Sequence, residues 1–374
     1  MQEVRNKLVD IETGDEFYYS DCLEDVKNGK KVKWKEYKLQ TQKLADVFLR
    51  ISDLQENEQD DIYYKRRYLR CLDCANILVF RHYLKTKELK LERAYFCKLR
   101  LCPMCSFRRS LKVFGQVSKV MDYMIKNTDY EYIFLTLTAK NVYGNELESE
   151  LDKYFNGFNL LTKRKEFKAI SKGFFRALEI TRNWEMNEYH PHFHVIIAVD
   201  KSYFTNTGYY ISQKRWRELW QSCMGLSYDP YIDIRKIKPN INIKTDGEVF
   251  INYSKAIAEV AKYTVKSSDV IFELSGKTKR QIGKKAVEQI QKAYEPLTDE
   301  TVVTLDKALH HRRLVAFAGE LKIAHKLLNL DDTIDGDLVN TDNEEKTDDK
   351  AEYFIAYYFW SFMLGNYFKI GHQD

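Results

Sequence analysis

Proline is scarce in this sequence, with five residues among 374, while hydrophobic residues make up 44%. This composition excludes an intrinsically disordered protein. No amino-terminal segment combines a basic start, an apolar run and a small-residue cleavage site, so we expect a cytoplasmic protein that is not exported. Long apolar runs are also missing, because residues 353–368 fall short of the roughly 20 that span a bilayer. We predict that this tyrosine-rich stretch is a helix packed on the body, and we expect no membrane partner.

Charge is modest in total but unevenly distributed along the chain. Net charge is +5, yet residues 331–352 hold ten acidic and two basic side chains, so that stretch carries −8 and the remainder +13. A basic body with an acidic stretch fits a polyanionic partner. A solvated surface with an acidic linker would give the same charge distribution. Charge alone therefore does not identify nucleic acid as the partner.

Hydrophobic periodicity predicts an alternation of helices and strands. Strand patterns occupy 132–138, 173–182, 192–199 and 231–237, and helical patterns occupy 108–127, 146–167, 254–267 and 306–328. Ser212 is the predicted N-cap of a further short helix. Residues 173–199 form a predicted hairpin. This order predicts an α+β fold in which an antiparallel sheet is covered by helices on one face.

Composition shifts along the chain predict its domain organisation. We expect a loosely packed lead-in at 1–62, a basic cysteine-rich module plus helix at 63–127, an α+β domain at 128–270, a basic helical region at 271–330, an acidic linker at 331–352 and an aromatic helix at 353–374.

Three of the eight histidines occupy alternate positions in one short segment: His190, His192 and His194. Alternate side chains of an extended chain share one face, which favours metal binding over a merely polar strand face. The preceding predicted strand carries Glu179 inside an apolar run, and we predict that it is the third ligand. An ion pair with an arginine of its own strand is the alternative. Such ligands suit Mn²⁺, Zn²⁺, Co²⁺ or Mg²⁺.

The predicted helix at 254–267 has one polar face. That face carries Lys255, Glu259, Lys262, Tyr263 and Lys266, opposite an apolar face. A phenol is a poor nucleophile at neutral pH unless cations or a metal favour its anion. The lysines would neutralise a tyrosinate and a phosphate, and Glu259 would activate a water near Tyr263. Ordinary Glu–Lys pairing on a solvated face is the alternative.

Five of the seven cysteines lie within 35 positions, a clustering that favours metal over disulfides. Cys71 with Cys74, and Cys102 with Cys105, form two CxxC pairs that each suit chelation of a structural Zn²⁺. Cys97 is a fifth candidate, and a tetrahedral ion takes only four. The double-pair spacing favours Cys71 as the fourth ligand.

Basic and aromatic residues are interleaved around these cysteines, a mixture that suits phosphate contacts and base stacking. Our candidate DNA contacts are Arg66, Arg67, Arg108, Arg109 and Lys112, together with Lys262 on the tyrosine helix.

Three segments together resemble the HUH endonucleases, and specifically the Rep initiators of rolling-circle plasmids. Residues 134–138 (FLTLT) resemble the first family motif, 190–194 (HPHFH) the second and 259–266 (EVAKYTVK) the third. The likeness extends from residue 66 to 328 and includes the cysteine block. Having Glu259 four residues before Tyr263 resembles the single-tyrosine subgroup. The family pattern favours Cys97 as the fourth zinc ligand, whereas the spacing favours Cys71.

This resemblance implies a reaction and its partners. His192 and His194 would bind Mg²⁺ or Mn²⁺, and Tyr263 would attack one strand of an unpaired or hairpin plasmid origin in a bacterial cytoplasm. The enzyme would remain on the 5′ phosphate, freeing a 3′ hydroxyl for a host polymerase assisted by a helicase. A homodimer is compatible with this role. The alternatives are another HUH relaxase or transposase, and a non-catalytic zinc-dependent DNA-binding regulator.

Overall fold

A computed structural model describes residues 7–9, 16–18, 22–27, 29–205, 208–243, 249–262, 264–341 and 351–370. The helices are α1 (Trp34–Asp53), α2 (Glu58–Asp73), α3 (Pro103–Asn127), α4 (Gly144–Lys163), α5 (Lys165–Ile170), α6 (Ser202–Thr205), α7 (Gln213–Met224), α8 (Ser254–Val260), α9 (Ser267–Val270), α10 (Gly276–Ala293, broken at Gly283), α11 (Glu295–Leu309) and α12 (Gly319–Leu327). The strands are β1 (Lys7–Val9), β2 (Glu16–Tyr18), β3 (Val26–Lys27), β4 (Lys30–Lys31), β5 (Ile77–Tyr83), β6 (Leu89–Ala94), β7 (Glu131–Thr138), β8 (Val142–Tyr143), β9 (Ser171–Asn183), β10 (Glu188–Val199), β11 (Ile232–Lys236), β12 (Asn240–Ile243), β13 (Val249–Asn252), β14 (Val315–Ala318), β15 (Tyr353–Ser361) and β16 (Asn366–Ile370).

The described residues divide into two compact units. The first unit takes its residues from 1–108, 338–340 and 344–374, and the second from 109–337 and 341–343. The division falls inside α3, whereas the predicted boundaries put that helix wholly in the cysteine module. Among the described residues, no helix has the length and apolar character needed to cross a membrane.

The first unit contains a four-stranded antiparallel sheet in the order β16–β15–β5–β6. Helix α1 buries Leu44, Val47, Phe48 and Ile51, which recur at helical spacing. The prediction of a loosely packed lead-in is therefore wrong for residues 34–53, because one apolar face of this helix is removed from water.

The predicted carboxy-terminal helix at 353–374 is wrong. Residues 353–370 form the strands β15 and β16, and residues 371–374 lie outside the described residues. Burial in β15 follows a period of two, with Ala356, Tyr358 and Trp360 buried between exposed neighbours. Aromatic residues favour strands because they pack on a half-buried pleated surface, and that preference decided the structure here.

The second unit is built on an antiparallel sheet in the order β11–β7–β10–β9–β14, with the short β8 also paired to β10. The α+β prediction is confirmed, as are the predicted hairpin and its neighbouring strands. Asn183 caps the hairpin turn, because its side chain accepts hydrogen bonds from the backbone N–H groups of Glu185 and Met186, both at 3.1 Å. The histidine strand β10 lies centrally, paired with β7 on one side and β9 on the other.

Helices cover both faces of this sheet, where the prediction had placed them on one. Helix α4 packs on the face that bears Phe193, whose ring contacts Tyr154 and Phe158. On the opposite face, Tyr253 before α8 packs against Tyr132, which lies in phase with the histidines. The predicted cap of α7 is confirmed, because Ser212 Oγ accepts from the N–H of Arg215 at 3.2 Å.

Two predictions for the carboxy-terminal third need correction. The helix expected at 306–328 is interrupted by β14, which pairs with β9. Gly319, the residue after that strand, lies so close to β9 that a Cβ on it would meet Lys172 O at 2.4 Å, and it has a φ of +57°. The start of the acidic stretch is packed against the protein, because Ile334 and Leu338 are buried. The predicted acidic linker is therefore wrong for these residues. Residues 342–350 of that stretch lie outside the described residues.

Candidate metal centres

One face of the sheet carries His190, His192 and His194, and we call it the histidine face. Strands β9 and β10 pair in a register that places Glu179 opposite His192 on this face. Directly opposed residues of an antiparallel pair project to the same face, and so do alternate residues of one strand. Glu179, His192 and His194 therefore share one face. All three are buried, at 6%, 9% and 7% exposure.

The three side chains meet at one carboxylate oxygen. Glu179 Oε2 lies 3.2 Å from His192 Nε2 and 3.0 Å from His194 Nε2. The potential ligand atoms all lie within 4.8 Å of one another. Two imidazole nitrogens and a carboxylate oxygen suit a divalent cation, so the residues fit a metal.

The other ring nitrogens are also engaged. His192 Nδ1 lies 3.3 Å from the carbonyl oxygen of His190, and His194 Nδ1 lies 3.3 Å from Thr136 Oγ1. A proton on His192 Nδ1, donated to that carbonyl, would free the Nε2 lone pair for a metal ion in place of the hydrogen bond that His192 makes with Glu179. Partners of this kind orient metal-binding imidazoles.

Glu179 carries negative charge despite its burial. Burial alone raises the pKa of this carboxyl, but hydrogen bonds from His192, His194 and Lys266 outweigh it and hold the pKa well below its ordinary value. Lys266 Nζ lies 3.1 Å from Glu179 Oε1, the oxygen that does not contact the imidazoles. The carboxylate is thus held on both sides.

An ion pair within its own strand does not explain Glu179. Arg176 and Arg182 differ from it by three positions, so they project to the opposite face. The Arg176 guanidinium lies 4.5 Å from the Phe193 ring centroid and donates to Arg313 O, and that of Arg182 lies 4.4 Å from the Tyr189 ring centroid.

His190 lies on the histidine face but outside the group of three. Its ring centroid is 5.3 Å from that of His192, and burial lowers its pKa.

The segment resembling the third motif is not one continuous helix. Helix α8 ends at Val260, and the backbone N–H of Ile180 in β9 donates to Thr264 O at 2.7 Å. The predicted helix at 254–267 is therefore wrong beyond Val260, because a tertiary hydrogen bond replaces the helical one. Lys266 reaches Glu179 from the extended position before α9. The predicted nucleophile Tyr263 lies outside the described residues.

Two other polar residues of that segment have different surroundings from Lys266. Glu259 forms an ion pair with Arg235 on β11, while Lys262 is exposed. Arg235 also lies over the Phe134 ring, 4.7 Å from its centroid. No local pattern indicates Arg235, because only the tertiary fold brings β11 to α8. Thr136 was not among the predicted site residues, although the alternation of the first motif could have indicated it.

Four cysteine sulfurs in the first unit form a second candidate centre: Cys74, Cys97, Cys102 and Cys105. Cys74 Sγ lies 3.8 Å from Cys102 Sγ and 3.6 Å from Cys105 Sγ, and Cys97 Sγ lies 3.6 Å from Cys105 Sγ. All four are buried. Burial raises the pKa of the Cys74 and Cys105 thiols well above the ordinary value, so both would need a bound cation to become thiolates. This donor set fits tetrahedral zinc.

Two residues beside the cysteines have a left-handed backbone, and at one of these two places backbone N–H groups donate to the sulfurs. Ala75 and Lys98, each following a cysteine, have left-handed φ values of 55° and 58°. Lys98 N donates to Cys105 Sγ at 3.3 Å, and Cys97 N donates to Cys74 Sγ at 3.4 Å. Cys71 is buried but stays outside the group of four, so the geometry favours Cys97 where the double-pair spacing favoured Cys71.

A buried lysine that sequence analysis missed adjoins the cysteines. Lys38 Nζ donates to Cys74 O at 2.7 Å and to Asn76 Oδ1 at 2.6 Å. Burial lowers the pKa of Lys38, and the nearby cysteine sulfurs oppose that shift. Lys38 lies in the region predicted as a lead-in, and no sequence motif indicates it.

Three of the predicted DNA contacts are buried and engaged within the protein. Within the first unit Arg108 donates to Leu338 O at 2.8 Å; within the second Arg109 donates to Ile334 O at 3.1 Å. Lys112 Nζ lies 2.7 Å from Asp331 Oδ2 and lowers the pKa of that carboxyl to about 2. The prediction that these three cations meet phosphates is therefore wrong, because the start of the acidic stretch covers them. Arg66 and Arg67 remain at least partly exposed.

The sequence is similar to known replication proteins. A family model described as "Replication protein" matches residues 88–368. A protein named "Protein rep" from Bacillus sp is 41% identical over 284 residues, which are 74% of this chain and 85% of that protein. Another from Bacillus amyloliquefaciens is 36% identical over 357 residues, or 93% and 97%. A third from Streptococcus pneumoniae serotype 2 is 32% identical over 348 residues, or 92% and 94%. No solved structure matches the chain significantly.

Proposed function

Because this chain belongs to the replication protein family, we propose that it initiates rolling-circle replication of a plasmid. It nicks one strand of the origin, joins its Tyr263 to the 5′ phosphate and leaves a 3′ hydroxyl that primes a polymerase. The observation that carries this proposal is the convergence of His192, His194 and Lys266 on the buried carboxylate of Glu179.

His192, His194 and Glu179 hold a divalent cation in this proposal, with Mg²⁺ or Mn²⁺ as candidates. When bound, such an ion supplies Lewis-acid polarisation of a phosphoryl oxygen. The three side chains fix its place, since two sheet strands carry them and backbone or hydroxyl groups engage both remaining ring nitrogens.

Lys266 contributes positive charge beside the same site. Its side chain is 45% exposed even though its ammonium contacts Glu179. It can therefore hold the carboxylate in place and also face a phosphodiester from solvent. A cation there stabilises negative charge that develops on the phosphoryl oxygens and on an attacking phenolate.

Tyr263 is the proposed nucleophile because the next residue, Thr264, accepts a hydrogen bond from Ile180, the neighbour of Glu179. Its phenolic oxygen forms a bond to phosphorus as the bond from phosphorus to the 3′ oxygen breaks. The phenolic proton is lost, and the departing 3′ oxygen gains a proton. One phosphodiester replaces another, so the strand can be rejoined without an added energy source.

Glu259 has a separate role, in termination. Its carboxylate is held by Arg235 rather than by the histidine group, and it remains 30% exposed. We assign it the deprotonation of a water that attacks the phosphotyrosine, since Tyr263 itself is esterified at that stage.

The cysteine group has a structural role in this proposal. Cys74, Cys97, Cys102 and Cys105 hold Zn²⁺ in a closed site without an open position for substrate. The ion ties the end of α2 to the start of α3 and orders the unit that contains them.

Covalent capture tests this function directly. The purified chain is incubated with Mn²⁺ and a single-stranded oligonucleotide that spans the origin nick site, and then denatured in SDS. We expect a stable protein–DNA adduct that chelator prevents. A zinc-dependent regulator without catalysis would bind the oligonucleotide and form no adduct, which would overturn the proposal.

A further inference from the structure

One face of the four-stranded sheet in the first unit is lined by exposed aromatic side chains. Tyr353, Tyr357 and Phe359 alternate along β15 and are 42%, 41% and 40% exposed. The alternate residues Tyr358 and Trp360 are 6% and 0% exposed, so the sheet buries its other face. We call the exposed side the aromatic face.

Cations border the aromatic rings on the same face. Arg81 of β5 lies opposite Ile355 of β15, with its guanidinium 5.0 Å from the Tyr353 ring centroid. On β6, Lys90 lies opposite Arg81 and Arg93 opposite Val79. Glu92 pairs with Arg81 at 2.6 Å. Among the described side chains named here, three cations and one carboxylate lie on this face, and together they carry a net positive charge.

We propose that the aromatic face binds single-stranded DNA by stacking bases on Tyr353, Tyr357 and Phe359 while the β6 cations contact phosphates. Exposed aromatic rings interleaved with cations are the usual platform for unpaired strands. The site lies in the cysteine-containing unit and is independent of the nicking chemistry. It would hold an unpaired strand of any sequence, since every base has a face that stacks.

Ring spacing favours a single strand over a duplex. Successive residues on one face of a strand are about 6.7 Å apart. This is about twice the ~3.4 Å separation of stacked bases in a duplex. Bases that each stack on their own ring must therefore separate from one another, which only an unpaired, extended strand allows.

The test uses the full chain and a fluorescein-labelled oligothymidine of about 16 nucleotides, which cannot form a duplex or an origin hairpin. Fluorescence anisotropy gives its dissociation constant for the parent and for the double variant Tyr357→Ala/Phe359→Ala. Loss of two stacking rings should weaken binding at least tenfold, because each stacked base contributes about 1–3 kcal/mol. The slope of log affinity against log salt should stay the same.

Matched variants separate stacking from general effects. Met363→Ala removes a 75% exposed apolar side chain from the β15–β16 turn and should leave affinity unchanged. Arg93→Ala should lower the salt slope by roughly 0.7, the effect of losing one phosphate contact. Tyr357→Trp should bind at least as tightly as the parent. If circular dichroism shows that the double variant is unfolded, the single variant Tyr357→Ala is used for the test instead. Its affinity for the oligothymidine should fall at least about fivefold.

Parental affinity in the folded double variant would overturn this inference. If the molar mass of that variant by light scattering also falls, the face is an interface between copies of the chain. Adduct formation with a saturating origin oligonucleotide should persist in the double variant. Failure of the proposed nicking function would instead remove the adduct from the parent chain.

Discussion

Lys266 and the two histidines contact opposite oxygens of the Glu179 carboxylate: Lys266 Nζ lies 3.1 Å from Oε1, and His194 Nε2 lies 3.0 Å from Oε2. The lysine follows α8 in sequence, whereas the carboxylate belongs to the central sheet. This contact joins the segment resembling the third motif to the histidine strand. We expect the histidines and Glu179 to bind the metal and Lys266 to act on the phosphate.

Glu179→Ala should weaken divalent metal binding at least about tenfold, because it removes one of three converging ligand atoms. Isothermal titration with Mn²⁺ measures the change. His192→Ala or His194→Ala should abolish metal-dependent nicking. His190→Ala is the matched control, since that ring lies on the same face outside the group. A loss with His190→Ala and none with Glu179→Ala would reassign the third ligand.

Lys266→Met should reduce nicking about tenfold or more at saturating Mn²⁺, because it removes a cation from beside the reacting phosphate. Lys266→Arg should retain much of the activity, since the charge remains. Single-turnover nicking rates compare the two. Equal rates in Lys266→Met and the parent would leave this lysine with no part in the chemistry.

Tyr263→Phe should abolish both nicking and the SDS-stable adduct while origin binding stays within about twofold. The substitution removes the nucleophilic oxygen and keeps the ring. Gel electrophoresis of a labelled origin oligonucleotide detects the adduct, and anisotropy measures binding. An adduct that persists would assign the nucleophile to another tyrosine.

Glu259→Gln should nick at a near-normal rate but fail to release the enzyme from DNA. Initiation needs only the phenol and the metal site, whereas termination needs a base for water. Plasmid products longer than one unit should accumulate, as measured on denaturing gels. If initial nicking falls as far as in Tyr263→Phe, the proposed division between initiation and termination is wrong.

Cys102→Ser should lower zinc content from about one ion per chain, because it removes one of four converging thiolates. Metal analysis after mild chelation measures the retained ion, and origin affinity should fall with it. Cys71→Ser is the matched control, as this buried sulfur lies outside the four. Equal zinc loss in both variants would place Cys71 among the ligands.

Strand and helix identity followed from local pattern over most of the second unit. The alternation His190, His192, His194 placed three imidazoles on one face, and Glu179 stood out as a charge in an apolar strand. Periodicity gave the wrong secondary structure at residues 353–370, because an aromatic-rich run is compatible with both a helix and a strand until its packing partners are known. Pairing with β5 decided that stretch, and no local signal indicates that partner.

The sequence by itself determined which residues are candidates for the chemistry: the histidines, Glu179, the clustered cysteines and the tyrosine segment. Only the tertiary structure decided which of them meet. Strand register opposed Glu179 to His192, and a hydrogen bond from Ile180 to Thr264 ended α8 and brought Lys266 to the carboxylate. Burial likewise removed Arg108 from the predicted DNA contacts, because backbone carbonyls far along the chain satisfy its guanidinium. Residue type and spacing are local, whereas contact, burial and charge pairing depend on segments distant in sequence.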